Sequence, residues 1–358
     1  MALLITKIIS APLPQLTRVV EQPAAQTPVQ HVTRFDPKKH LAGNVMPKVL
    51  GMTDLGYPAD TGVSPVAVSE AFQLFTPEAI QIMREEISQP AVHGQCSFSS
   101  NLAACQLRGY AKQYAPFAYE AWKHPETVAI ISRIAAMALV PVMDYEIGHI
   151  NLSIKTEAET TGELAAFNKG RRVYAKEEGS GGCLGEEKPI VDWHTDSYPF
   201  VCVLMMSDCT NMVGGETALR KADGEILKVR GPAQGCAVVL QGRYIPHQAL
   251  RALGAQERIT SVTSFRPKSA FVKDDSVLRT VRPISDLSAL YSGFAEYRLE
   301  MLEERIRHER QQLASRRRLG ERFNTLEHKE FLDEAIAFSE QTNGELVEDD
   351  RVTKGVIE

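Results

Sequence analysis

The sequence predicts an α+β chain, with a β-rich centre over about residues 141–270 and helices on either side. Three observations predict it. Residues 200–206 form an apolar run with β-branched and aromatic members, the mark of a strand covered on both faces. Residues 258–265 are rich in β-branched side chains, which suit a pleated surface. Patterns with helical spacing stand outside this centre, before residue 140 and after residue 287.

Residues 1–66 are rich in Pro, Gln and Val and show little periodicity. With Pro12, Pro14, Pro23 and Pro28 they read as an extended arm, wrapping the body or, in a homodimer, a second subunit. Residues 67–140 read as a helical layer of the sort that backs a sheet. Thr76 is an N-cap followed by Pro77 at the first helical position, and the helix runs to about Ser88. Further helices are expected over 103–110, 115–123 and 125–139. In the last, Val128, Ile131, Ala135 and Ala138 recur at helical spacing.

The centre opens with an alternating segment, 145–154. Ile150, Leu152 and Ile154 share one face; Tyr145, His149, Asn151 and Ser153 share the other. The apolar face should pack on helices and the polar face should look into a cavity, which makes His149 and Asn151 candidate substrate contacts. A glycine-bearing insert, 157–190, reads as a lid. Its Arg171 and Arg172 are candidate contacts for a substrate carboxylate, although solvated loop charges are the commoner case. Asp223-Gly224 between two strand-like stretches predicts a hairpin. In the C-terminal region, 271–358, residues 287–318 read as a long charged helix with a Glu303–Arg307 pair. A second helix covers about 325–341. Its Ile336 and Phe338 do not share a face, so one is a candidate to pack on the core and the other to border the pocket, although core packing or a dimer contact is the commoner case.

The chemistry concentrates at His194, Asp196 and His247. Residues i and i+2 of a strand point to one face, so His194 and Asp196 can reach one metal; a helix would turn them about 200° apart. His247 follows a second strand, 237–240, and Pro246 before it marks a strand start or an irregular piece. Two imidazoles and one carboxylate form the set that holds ferrous iron on one face and leaves the other open. Arg258 and Thr260 share a face of the next strand and make a carboxylate clamp, because a guanidinium binds carboxylates through fixed paired donors. Singly, each of these residues is more often structural; their conjunction is what carries the reading. Trp193 points to the opposite face and reads as structural. Tyr198 shares the face of His194 and Asp196 if the strand stays regular past them, which Pro199 puts in question.

The 358 residues, 44% of them apolar, suffice for one large domain or two small ones. A net charge of −5 disfavours a nucleic-acid partner. No apolar stretch is long enough to span a bilayer, and the start lacks a basic region and a long apolar core, so neither membrane nor secretion is expected. The six cysteines are scattered without a Cys-x-x-Cys pair, which fits a reducing compartment such as the cytoplasm. Cys202 and Cys236 read as small buried hydrophobes.

At His194, Asp196, His247, Arg258 and Thr260 the chain resembles the iron(II)/2-oxoglutarate-dependent oxygenases. Residues 214–219 and 235–240 are also similar to that family. The resemblance covers about residues 145–267 and implies a double-stranded β-helix, or jelly roll, backed by helices. It implies Fe(II) on His194, Asp196 and His247, 2-oxoglutarate held by Arg258 and Thr260, O2 as co-substrate, and a small-molecule substrate. The Trp193–Val201 context and the long helical appendages look like fungal oxygenases of specialised metabolism, among them those that close an aziridine ring on L-valine. That resemblance implies an amino acid substrate, with Ile336 and Phe338 as pocket wall. A hydroxylase or desaturase of another metabolite is the alternative within the class. A cupin-like metal-binding protein that is no oxygenase is the alternative outside it, and it has no use for an Arg258–Thr260 clamp.

Overall fold

A computed structural model describes residues 33–43, 46–101, 105–163, 165, 189–210, 212–229, 233–250, 252–254 and 256–357. Two antiparallel sheets organise it. The larger runs in the order β1–β2–β13–β9–β16–β7–β5–β4, with β3 on β13 and β6 on β16. Its strands are β1 (Val49–Gly51), β2 (Val66–Ser69), β3 (Phe72–Gln73), β4 (Ser97–Phe98), β5 (Cys105–Leu107), β6 (Leu139–Pro141), β7 (His149–Ile154), β9 (Phe200–Met205), β13 (Cys236–Leu240) and β16 (Glu257–Pro267). The smaller sheet runs β12–β11–β14–β8, from β8 (Pro189–His194), β11 (Thr217–Arg220), β12 (Ile226–Val229) and β14 (His247–Leu250). A short ribbon pairs β10 (Val213–Gly214) with β15 (Ala252–Leu253).

The chain passes between the sheets as it advances: β7 large, β8 small, β9 large, β11 and β12 small, β13 large, β14 small, β16 large. This is the winding of a double-stranded β-helix, and helices flank it, so the fold is the α+β jelly roll that the sequence implied. β11 and β12 pair with Arg220 opposite Ile226, which places Asp223-Gly224 at the expected hairpin.

Side-chain alternation assigns the two faces of the large sheet. Ile150, Phe200, Cys202, Leu204, Ile259 and Phe265 point outward and join a buried cluster with Ile80, Met83, Trp122 and Ile131. Those partners lie on the helices Pro77–Ile87, Pro116–Lys123 and Pro125–Ile134. Each aliphatic or Phe side chain so buried stabilises the fold by roughly 1.5–3 kcal/mol. The inward residues of the same strands, Val201, Val203, Met205, Arg258, Thr260, Val262 and Ser264, line a cavity between the sheets. β9 is thus apolar throughout because both of its faces are covered.

The C-terminal helix spans Leu287–Arg318, with Asp286 capping the Ala289 amide at 2.7 Å. The next helix is Thr325–Glu345, four residues longer than its apolar pattern. Leu290, Phe294, Tyr297 and Met301 pack with Val142, Leu278 and Phe338. Arg298 is buried with its guanidinium 3.5 Å from the Phe338 ring centre and donates to the Asp274 carbonyl at 2.8 Å. It thereby anchors the loop that reaches the metal-ligand segment: the Val277 amide donates to the Ser197 carbonyl at 2.9 Å.

Several expectations are corrected. Of the helix expected over 103–110, residues 105–110 are described and are not helical: Cys105–Leu107 is strand β5, paired with β7, because its ladder bonds and the burial of Leu107 outweigh local propensity. The 125–139 helix ends at Ile134, since Ala136 has a φ of 50° and Leu139 begins β6. The alternating segment becomes a strand only at His149; Asp144–Glu146 is a 3-10 turn, and Tyr145 lies outside the strand. Of the segment read as an arm, residues 46–66 carry β1 and the start of β2 at the sheet edge, and residues 1–32 lie outside the described residues. Cys96, Cys105, Cys202 and Cys236 are free thiols, with Cys202 and Cys236 buried as expected. No described helix is long and apolar enough to cross a membrane.

Glu86 caps the Pro116–Lys123 helix from a neighbouring helix, accepting from the Phe117 and Ala118 amides at 2.8 and 2.9 Å. Burial pushes its carboxyl up to about 7. The folded protein therefore binds a proton that the unfolded chain has released, and stability falls as pH rises from about 4.5 to about 7. Glu86→Gln should flatten this part of the profile, read as urea midpoints across that range; an unchanged slope would contradict it.

Candidate metal centre and cavity

His194 ends β8 and His247 begins β14, and the two are register partners across the small sheet. Their ring centres are 4.4 Å apart. Asp196 lies just past the strand end, where its amide donates to the Gly242 carbonyl at 2.9 Å and leaves the ladder. The same-face argument from the strand is therefore replaced by a turn held to the 241–246 segment. His194 Nε2 lies 3.8 Å from Asp196 Oδ1, and His247 Nε2 lies 3.5 Å from Asp196 Oδ2. One ligand atom from each residue lies within 4.8 Å of the others, a spacing that brackets a metal ion.

The donor chemistry fits ferrous iron. His247 Nδ1 is 2.9 Å from the Ile245 carbonyl, which can only accept, so Nδ1 carries the proton and Nε2 is free to bind metal. Asp196 Oδ2 is buried without a hydrogen bond, as a carboxylate awaiting a cation would be. Gly242 leaves the room: a Cβ there would stand 1.8 Å from Asp196 Oδ2. Trp193 faces away from the cluster, stacked 4.3 Å beneath the Arg220 guanidinium.

A cavity of about 830 Å³ takes in all three residues together with Arg258 and Thr260. Arg258 stands opposite Ser153 and Thr260 opposite Asn151 on β7, so one row of inward side chains crosses the sheet. Arg258 makes no hydrogen bond or ion pair among the described residues, and its Nε is sealed from solvent. Burial pushes its pKa below the usual arginine range. A half-buried guanidinium with its Nε sealed and no counter-charge among the described residues is costly, and an anion in the cavity would relieve it.

The cavity has two halves. Val201, Val203, Met205, Val238 and Leu240 make it apolar on β9 and β13. His149 and Asn151 lie in the polar half on β7, as the alternation predicted, and Tyr198 is buried in the wall with its hydroxyl donating to Glu146 at 3.2 Å. Phe338 instead packs under Arg298, and Ile336 is exposed, so neither lines this cavity. Their helix is tied to the Arg298 anchor, away from the barrel's inner face. Arg171, Arg172 and most of the 157–190 insert lie outside the described residues. Sequence reasoning missed Gln106, Arg108 and Glu146, which all line the polar half. A strand reading of 105–108 would have put Gln106 and Arg108 on one face.

Fold and site together define a jelly-roll protein with a two-histidine, one-carboxylate cluster and, in the same cavity, an arginine unpaired among the described residues. No family model matches the chain, and no curated protein matches it. Among solved structures it is similar to a Pseudomonas putida prolyl-4-hydroxylase, at 15% identity over 57% of this chain and 94% of that one, with a TM-score of 0.35. It is also similar to a 2OG-Fe(II) oxygenase family oxidoreductase from Burkholderia pseudomallei (12%, 62% and 94%, TM-score 0.37). A third is the alpha-ketoglutarate-dependent epimerase SnoN of nogalamycin biosynthesis (12%, 61% and 83%, TM-score 0.39).

Proposed function

We propose that the protein is an iron(II)/2-oxoglutarate-dependent oxygenase acting on an unactivated C–H bond of a small amino-acid-like metabolite. One observation carries this reading: a three-residue cluster able to hold a metal ion and an arginine with no counter-charge among the described residues open into the same cavity. A cupin-like metal protein without an oxo-acid co-substrate leaves that arginine unexplained.

His194, Asp196 and His247 hold the metal, with the His247 tautomer set by the Ile245 carbonyl and the Asp196 backbone set by Gly242. Arg258 and Thr260 bind the distal carboxylate of 2-oxoglutarate. Iron with 2-oxoglutarate supplies O2 activation coupled to oxidative decarboxylation, and so the oxidising power for C–H cleavage. The apolar wall of β9 and β13 excludes water from that side. In its finest form the reading is ring closure of L-valine: L-valine, 2-oxoglutarate and O2 give an aziridine carboxylate, succinate, CO2 and water.

Anaerobic addition of Fe(II) and 2-oxoglutarate to the purified protein should develop the weak visible charge-transfer band of the chelate. Amino acids are then screened for O2-dependent succinate, and products are identified by mass. L-Valine is expected to give a product two hydrogens lighter, one per succinate. A hydroxylated product removes the aziridine reading and leaves the class; neither band nor succinate from any substrate removes the class.

A further inference from the structure

One cavity holds two arginines in opposite electrical states. Arg258 has no hydrogen-bond or ion-pair partner among the described residues, whereas Arg108 is held at each of its three nitrogens. Its Nε donates to Ser285 Oγ at 3.1 Å, one terminal nitrogen lies 2.9 Å from His149 Nδ1, and the other donates to a Glu146 carboxylate oxygen. Arg108 and Glu146 are each only 1% exposed. Tyr198 donates to that same Glu146 oxygen. The ion pair cancels its own charge inside the wall and leaves no call for an added anion.

The protonation of the neighbouring groups follows from what each can do. A guanidinium only donates, so His149 Nδ1 must accept and the ring proton sits on Nε2. Burial and the adjacent Arg108 both hold the His149 pKa well below the usual histidine value, so the ring is neutral. The carboxamide end of Gln106 lies 3.2 Å from His149 Nε2. The same Gln106 atom lies 3.1 Å from the Asn151 carboxamide, at the position assigned as Oδ1. An amide nitrogen cannot accept the ring proton, so the amide assignment is reversed at both residues, with Gln106 Oε1 accepting from His149 Nε2 and from Asn151 Nδ2. Every member of this ordered wall carries zero charge or has its charge paired.

We propose that Gln106, Arg108, His149 and Asn151 form the subsite for the substrate's polar head, and that this subsite selects a head group of no net charge. The proposal rests on the oxygenase reading in taking this cavity as the substrate's. A lone carboxylate or ammonium placed here would stand uncompensated in a buried wall, whereas a zwitterion or an amide keeps the balance. Among the described residues Arg258 is the cation in this cavity left to take a free anion.

The test follows the His149 ring by NMR in 15N-histidine-labelled protein loaded with zinc and saturated with 2-oxoglutarate, which occupies Arg258. The signal is assigned by its loss in His149→Gln. Sodium acetate serves as the lone-anion probe. Wild-type protein is expected to show a neutral ring protonated at Nε2 across neutral pH, with no saturable response to acetate. Glu146→Gln removes the counter-charge and keeps the shape, so its His149 signals should move saturably, with acetate bound at least about tenfold more tightly. Equal acetate binding in both proteins, or a charged or Nδ1-protonated ring in the wild type, overturns the proposal. If Glu146→Gln does not fold, the wild-type ring state and acetate response decide alone. Failure of 2-oxoglutarate to bind the wild type counts against the oxygenase reading instead, so the two failures are distinguishable.

Discussion

Gly242→Ala is expected to abolish metal binding while leaving the fold in place. The added Cβ would stand 1.8 Å from Asp196 Oδ2, 2.7 Å from its Cγ and 3.2 Å from His247 Cε1. No such contact survives in a real structure, so the carboxylate must leave the cluster. Gly242 is not in the left-handed backbone region, so alanine adds no backbone strain there and the clash is the whole effect. Altering a residue that merely supports a metal ligand weakens binding by about 10–100-fold. Displacing the ligand itself should exceed the upper figure. Calorimetric titration with Fe(II) or Co(II), alongside the melting temperature, checks both halves. Wild-type metal affinity in a folded Gly242→Ala would remove Asp196 from the ligand set.

Arg258→Met should act with opposite signs on stability and on co-substrate binding. Without 2-oxoglutarate the wild type carries a sealed, unpaired guanidinium Nε in its cavity wall. Replacing it by an apolar side chain of similar length removes an uncompensated charge, so the free protein should melt higher. With 2-oxoglutarate the order reverses. Removing one partner of a buried charge pair costs about 2–5 kcal/mol, so affinity should fall by well over tenfold. Saturating the wild type at about 100 times its Kd adds about 2.7 kcal/mol of stability, which the variant should lack at the same concentration. Melting curves of both proteins with and without the compound give the four numbers required. Unchanged affinity in the variant would remove the clamp from Arg258 and with it the strongest argument for an oxo-acid co-substrate.

Much of the site was legible in residue types and spacing. His194, Asp196, His247, Arg258 and Thr260 sit in one cavity, and the polar face of β7 looks inward as its alternation required. Strand periodicity is local, so it survives without knowledge of the fold. The C-terminal helix was legible to its bounds, Leu287–Arg318, because its start is capped by Asp286 and its interior lacks Pro. Failure came where long-range contacts decide. Residues 105–107 carry little strand signal of their own and become β5 only because β7 supplies a ladder. That misreading hid Gln106 and Arg108. Ile336 and Phe338 were singled out by their disagreement with a helical face, but the Arg298 anchor that holds their helix is set by a loop about 60 residues earlier.

The sequence by itself determined the donor types, the central strands and the C-terminal helices, since each depends on side-chain chemistry and short-range periodicity. Tertiary structure alone decided which charges are paired. Arg108 and Arg258 are identical in a sequence; one folds against Glu146, and the other has no counter-charge among the described residues. Pairing of buried charges depends on distances of a few ångströms between residues far apart in the chain, which no local pattern encodes.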